Sequence, residues 1–516
     1  MIRDLVQDAP NASDSADVCI VGAGAAGIVL AVELARQGKR VVVLEGGGRD
    51  VEEESQETYR SEITGLRHNG VHIGRFRSLG GSTTRWGGQI LELDEIDFEA
   101  RPWVEGSGWP FSKNTLEPFY ERAIALEGLS NATLQDAAVW RELGMQTPEL
   151  KGFDSFFSRW CPETNFARLY ARELAESPSL SVWLHANAVA AIVEGARIRG
   201  VRCKTLTGVE HTFRADKFIW CMGGIESSRF FLQPETAGMP WHRSGLLGKH
   251  FQDHLIVSAA EIQLIDAYRF HEVFDNVFSR GYKYHPKIRL APQLQKESGT
   301  LNTAALIFFH SEFDAAAVKL KTTAKKLLRG RLGEVTGEEA VQLFRDAPLL
   351  ARQSWRYALD HRAYIPGDAR IELGVHCEQP PEGGSSITLS DDRDRLGMLR
   401  TRIDWRISER EMRSVRVCVE AAAKALAAIA HVVPDPDMAN APEKFREKCS
   451  DQYHHMGGMR MSISPSDGVV DANLKLHGIE NGYVCSGAVF PSSGFSNPTH
   501  TVIALAIRLA DHLRGH

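Results

Sequence analysis

Residues 17–45 read DVCIVGAGAAGIVLAVELARQGKRVVVLE. The opening run, DVCIV, suits a strand buried on both faces of a parallel sheet. It leads straight into Gly22-Ala23-Gly24-Ala25-Ala26-Gly27 and a helical stretch, IVLAVELARQG, that closes at Gly38. A second strand, RVVVL, stops at Glu45. Strand, glycine turn, helix, strand and acid within about 30 residues form a dinucleotide-binding unit. Gly22 permits the tight turn, Gly24 lets backbone approach a pyrophosphate, and Gly27 lets helix pack on strand. The helix start at Ala25 and Ala26 offers free N–H groups and a positive dipole end to phosphates. Glu45 is placed to accept the hydroxyls of an adenosine ribose and to repel a 2′-phosphate. This unit alone does not separate FAD from NAD.

Around it lies a chain of 516 residues, 43% apolar and 24% charged, the balance of an ordinary globular protein. At ~150 residues per domain the prior is about three domains, and a large α/β enzyme uses fewer. The 60 Lys and Arg against 66 Asp and Glu leave a net charge of −6, which gives no global attraction to nucleic acid. No run approaches the ~18 apolar residues of a membrane span. The start, MIRDLVQDAP, has neither a basic-then-apolar leader nor a twin arginine, and the eight cysteines include no C-x-x-C. Reduced thiols and a cytoplasmic location are the expectation.

Three further segments narrow the choice. They are the loop Leu79-Gly80-Gly81-Ser82-Thr83-Thr84-Arg85-Trp86-Gly87-Gly88, the strand-to-helix turn Ile219-Trp220-Cys221-Met222-Gly223-Gly224-Ile225-Glu226-Ser227-Ser228-Arg229, and the stretch from His454 to the end. With the glycine turn ahead of them and Asp253-His254 between, their order resembles the glucose–methanol–choline (GMC) family of FAD-dependent oxidoreductases. Within it the motifs are closest to the pyranose oxidase and fructose dehydrogenase-like branch, which pairs His with Asn. The resemblance covers about half the chain and implies an α/β fold. A discontinuous Rossmann-like FAD domain with a parallel sheet (14–105, 160–255, 450–516) would be joined to an α+β substrate domain on a large antiparallel sheet (106–159, 256–449).

The same resemblance implies FAD contacts at Gly22, Gly24, Ala25, Ala26, Gly27, Glu45, Gly81, Ser82, Thr83, Thr84, Trp86, Gly87, Val189, Gly223, Gly487, Ala488, Pro498 and Thr499. Where pyranose oxidase carries a flavin-linked histidine this chain has Arg85, and residues 79–88 hold no histidine. FAD is therefore expected to bind without a covalent link. His454 matches the family's catalytic histidine, and Asn497 the residue beside the substrate oxygen. Read by themselves, the residues agree. A histidine suits proton removal near neutral pH, and the glycines after His454 would admit a flat ligand. Asn497-Pro498 would cap and open a buried helix, VIALAIRLA, whose N-terminus stabilises negative charge on a reduced flavin. His455 is expected to face away from the ligand and back the site.

The expected reaction is oxidation of an alcohol, with His454 taking the hydroxyl proton and a hydride passing to flavin N5. A sugar or glycoside hydroxyl is the favoured substrate. The alternatives are a sterol or other hydrophobic alcohol, or a redox-silent lyase-type member with structural FAD. The acceptor that reoxidises the flavin (oxygen, a quinone or a protein) is left open. No metal is expected: His250 and His254 have helical ligand spacing, but Gly248-Lys249 ahead of them argues for a loop. The basic run from Lys319 to Arg331 reads as a solvated helix face or a docking surface. SVWLHA, AVAAIV and RIRGVRCKTL read as an antiparallel ribbon, 106–159 as mainly helical, and SSITLSD and TRIDWRI as strands beside the alanine-rich helix VCVEAAAKALAAIA.

Overall fold

The computed structural model describes residues 1–8, 16–311, 336–338, 341, 345 and 347–515. The basic run 319–331 lies outside them. The strand at Ala16–Val21 and its neighbour Val41–Leu44 form the centre of a six-stranded parallel sheet. Its order is Ile2–Asp4, Leu180–Leu184, Val41–Leu44, Ala16–Val21, Ala215–Trp220, Gly482–Val484. The strands come from separated stretches of chain, and the central ones join through consecutive buried apolar residues, whereas the edge strand Ile2–Asp4 is only half-buried. Cys19, Ile20, Val182, Ile219 and Val484 are fully buried. The helix Ala25–Arg36 crosses one face and packs against the long C-terminal helix Pro498–Arg514.

One strand expectation changes. SVWLHA does not belong to a ribbon, since Leu180–Leu184 pairs in parallel with Val41–Leu44 and Ile2–Asp4. Val182, Trp183 and Leu184 are consecutive and all buried, a pattern that a two-sided parallel sheet accepts and a solvated ribbon does not. The ribbon is made instead by Asn187–Glu194, Arg197–Lys204 and Glu210–Phe213.

The second large sheet is antiparallel. Its path runs Ala430–Pro434, Leu255–Leu264, Arg370–Cys377, Thr303–His310, Tyr282–Leu290, Phe153–Trp160, Gln89–Ile90. The segment 106–159 is thus helical only in part. It holds the helices Glu117–Leu126 and Asp136–Glu142, then ends in a strand of this sheet. Side chains alternate across a strand. Ile288, Leu290, Ala305, Ile307, Leu373 and Val375 face the helix Glu409–Ala425, whose Met412, Val415, Cys418, Val419 and Ala422 close that core. The alternate positions Phe156, Lys287, Ala304 and His376 face the other way, where Phe495 packs on Phe156 and Ala304. That inner face looks toward the parallel-sheet half and floors the site. Ser386–Arg393 and Leu399–Asp404 pair with each other and with Glu62–Ile63 in a separate three-stranded sheet.

Candidate active site

A cavity of 630 Å³ runs between the two halves, from Glu45 at one end to His454 and Asn497 at the other. At the Glu45 end the glycine turn is held from within. Glu45 accepts the Ala23 N–H at 3.0 Å and the Gly47 N–H at 2.9 Å. Burial pushes its carboxyl above the usual carboxylate range, and these N–H groups with Arg77 oppose the shift. Gly22 sits at φ +102°, and a Cβ on Gly27 would stand 1.9 Å from the Gly22 carbonyl oxygen. A Cβ on Gly24 would meet no protein atom within 4 Å. Space at Gly24 is therefore kept for something other than protein.

Three helices aim their N-termini into this cavity, those starting at Ala25, Gly223 and Pro498. Their N-cap residues Gly24, Met222 and Asn497 line the wall, and none makes a side-chain cap bond. A helix start leaves orphan N–H donors and a positive dipole end, so the wall offers anion-seeking amides along its length. That fits FAD, with its pyrophosphate and the carbonyl groups of its flavin. Among the implied contacts, Gly22, Gly24, Ala25, Ala26, Glu45, Gly81, Ser82, Thr83, Trp86, Gly87, Gly223, Gly487, Pro498 and Thr499 line the cavity. Gly27, Thr84, Val189 and Ala488 do not, although Asn187, Ala188 and Ser486 beside them do.

At the other end the site is built on hydrogen bonds. His454 Nε2 lies 3.1 Å from Asn497 Nδ2, and its Nδ1 lies 2.9 Å from His254 Nδ1. The His454 main-chain N–H donates to Asp253 at 3.0 Å. Burial opposes charge on Asp253, but His68 at 3.1 Å and the neighbouring histidines hold its carboxyl well below the usual range. His455 lies 4.0 Å from Asp253 with its ring against Phe251, and it too lines the cavity. Burial pushes His454 down to about 3, aided by His254 and Lys287, so its imidazole is neutral at pH 7. A neutral imidazole is what a general base requires.

Two local expectations change here. Asn497 stands at the cap position of the last helix, yet its side chain turns to His454. The glycines after His454 serve chain packing: a Cβ on Gly457 would meet the His250 carbonyl oxygen at 1.9 Å, and one on Gly458 the Ser228 hydroxyl at 2.3 Å. His250 and His254 lie in an irregular segment before strand Leu255–Leu264, and they part company: His250 bonds the Pro381 carbonyl, whereas His254 meets His454.

Several wall residues were given no role by the sequence, even where, as with Glu226 and Arg229, they lie within a quoted motif. Arg75 and Arg229 both pair with Glu226, at 2.8 and 3.1 Å, and all three line the cavity. Gln89 and Trp160 reach it from the antiparallel sheet. Lys287 donates to Gln89 at 3.1 Å, and burial lowers its ammonium to about 8. His376 closes a group with His254 and His454 whose ring nitrogens lie within 4.8 Å of one another. In the strand YKYHPKIRL, polar residues at alternate positions hinted at a buried polar face, but nothing in the pattern says what that face meets.

A Rossmann-like half, a long amide-lined cavity and a neutral histidine–asparagine pair define an FAD-dependent oxidoreductase. Comparison with known proteins agrees. Residues 17–239 match the FAD dependent oxidoreductase family model, and residues 381–506 match the GMC oxidoreductase model. The chain is 23% identical to 2-methyl-1,2-propanediol dehydrogenase of Mycolicibacterium austroafricanum, covering 97% of this chain and 95% of that one. It is 21% identical to the fructose dehydrogenase large subunit of Gluconobacter japonicus, over 97% and 98% of the two chains. The pyridoxine 4-oxidase structure from Mesorbium loti superposes with a TM-score of 0.60 at 17% identity, over 97% and 99%. Residues 381–506 thus carry a GMC oxidoreductase C-terminal domain, joined in one chain to an FAD-dependent oxidoreductase domain at residues 17–239. Among the described residues, no helix is long and apolar enough to cross a membrane.

Proposed function

We propose that the chain oxidises the CH–OH group of a sugar or glycoside with FAD as its cofactor. The observation that carries the reading is His454 Nε2, which faces the Asn497 amide nitrogen 3.1 Å away at the end of the cavity. A hydroxyl entering between the two side chains gives its proton to Nε2, and Asn497 Nδ2 donates to the oxygen as charge develops on it. FAD, when bound, supplies the hydride acceptor. Gly22, Gly24 and the starts of the helices at Ala25 and Gly223 would hold its phosphates. Gly487, Pro498 and Thr499 would lie against the ring, and the Pro498 helix start favours negative charge there. The similarity to fructose dehydrogenase supports a sugar.

The similarity to 2-methyl-1,2-propanediol dehydrogenase supports a second reading, a small or hydrophobic aliphatic alcohol. Anaerobic addition of sugars, glycosides, diols and sterols decides between them, because a true substrate bleaches the oxidised flavin spectrum. Bleaching by diols or sterols alone, at millimolar levels, overturns the sugar assignment. No bleaching by any alcohol would point to structural FAD. Attachment is non-covalent in this reading: Arg85 is exposed on the cavity wall, and no histidine lies in its loop. Acid precipitation should release all the yellow colour as free FAD, and flavin retained in the washed pellet would overturn that.

A further inference from the structure

We propose that His254 is the proton partner of His454: it fixes the tautomer of His454 that leaves Nε2 unprotonated, and it receives the Nδ1 proton when Nε2 takes one from substrate. Asn497 Nδ2 can only donate, so at 3.1 Å the His454 Nε2 must accept. A neutral imidazole carries one N–H, which is therefore on Nδ1. It points at His254 Nδ1, 2.9 Å away, and an N–H···N bond requires that this second nitrogen be bare. One chain of donors thus sets both rings: Asn497 to His454, and His454 to His254.

Of the two rings, His254 is the better placed to take charge. It is fully buried, its ring stands edge-on to His376 at 4.8 Å, and its main-chain N–H donates to Asp253 at 2.6 Å. The groups facing the pair are Asp253, Glu378, Lys287 and His376. Asp253 and Glu378 favour a cation on His254, as does the backbone of Ser493 and Gly494. Asp253 favours a cation on His454 too, but Lys287 disfavours one there, and Glu378 and the Ser493 and Gly494 backbone act on His254. Burial lowers both rings, His454 to about 3 and His254 to about 4. The field therefore draws the proton away from the substrate. In the step, the substrate O–H bond breaks and an N–H bond forms at His454 Nε2. The His454 Nδ1–H bond then breaks as one forms at His254 Nδ1. The electron pair stays on the substrate oxygen, and one positive charge ends on His254. His254 touches neither substrate nor cofactor in this account; it is a positioning residue that acts through His454.

The tautomer half is independent of the proposed alcohol oxidation, and the relay half rests on it. Nitrogen NMR of the FAD-loaded enzyme labelled with ¹⁵N-histidine reads the tautomer directly, with the His454 signal assigned by its loss in His454→Gln. The wild type should show His454 protonated at Nδ1. His254→Leu should lose that preference. His254→Asn, whose amide oxygen can stand where Nδ1 stood, should keep the tautomer and so confirm an intact fold. It cannot readily take the proton, however, and should reduce its flavin more slowly by roughly 10²–10⁴-fold, the range of a general base. A wild-type His454 protonated at Nε2, or one unchanged in His254→Leu, overturns the tautomer assignment. If His254→Leu does not fold, loss of the Nδ1 proton in His254→Asn does the same. A His254→Asn enzyme that reduces as fast as the parent overturns the relay. If no alcohol reduces the flavin of the parent, the relay falls with the oxidation reading, and the NMR still decides the pair.

Discussion

At the residue scale, His454 and Asn497 differ in what else they hold up. His454→Ala removes the base and should slow flavin reduction by roughly 10²–10⁴-fold while FAD stays bound. Asn497→Ala should also slow reduction. Loss of an N-cap side chain would cost about 1 kcal/mol, but Asn497 makes no cap bond, so its melting temperature should stay near the parent's. Rapid-mixing rates set beside thermal melts check both, and a clear drop in the Asn497→Ala melt would restore the capping role. A pH dependence follows as well. With His454 held near 3 and its partner near 4, the base form is present throughout the neutral range. The reduction rate should stay flat down to about pH 5 and fall only as both rings begin to protonate. A limb centred near the ordinary histidine value of about 6.5 would contradict this. The histidine was visible in the sequence as the match to the family's catalytic histidine; His254, 200 positions earlier, was visible as part of the family pattern and as a poor metal spacing, but not as its partner.

At the element scale, the three uncapped helix starts do the work that composition cannot reveal. Helix Ala25–Arg36 was legible throughout, because its glycines and its apolar run are local. The two glycines next to each other in function can be told apart. Gly24→Ala adds a methyl where no protein atom lies within 4 Å, so the apoprotein should fold with its parent melting temperature and bind FAD weakly or not at all. Gly27→Ala puts a methyl 1.9 Å from the Gly22 carbonyl oxygen, so the helix must lift off the strand. It should melt well below the parent or fail to accumulate. Flavin content and apoprotein melts of the two variants test the pair, and equal melts would refute the distinction. Strand Leu180–Leu184 was legible as a strand but not as a member of the parallel sheet. Its burial on both sides depends on neighbours more than a hundred residues away in sequence.

At the scale of the whole molecule, the inner face of the antiparallel sheet and the His454 segment bury several histidines. His254, His285, His376, His454 and His455 are all pushed below their ordinary value, in each case chiefly by burial. A folded value below the unfolded one of about 6.5 means that the unfolded chain binds more protons in between, so stability rises with pH there. Each such group removes about 1.4 kcal/mol per pH unit below 6.5 until its folded value is reached. His500 has the opposite sign. Burial opposes its charge, but Glu127 at 2.8 Å raises it, so it favours folding at low pH. Burial raises the carboxyls of Asp97 to about 8 and Glu411 to about 7, which also favours folding at low pH. The five depressed histidines outnumber these groups, and the melting temperature should fall between pH 6.5 and 5. A flat melting temperature across that interval would show that these rings are not buried neutral.

By itself, the amino-acid sequence determined the dinucleotide-binding unit and, through the family resemblance, pointed to FAD and to His454 with Asn497 as the candidate pair. These rest on short-range patterns: a glycine turn between two apolar strands, and a few residues at set spacing along one segment. Tertiary structure alone decided how the site is completed. It brought Gln89, Trp160, Lys287 and His376 to the inner face of one sheet. It also turned Asn497 from its helix toward His454, and set His254 at hydrogen-bonding distance behind it. The physical reason is that a buried polar side chain must find its partner wherever packing places one. Packing joins strands by shape and burial, without regard to their distance along the chain.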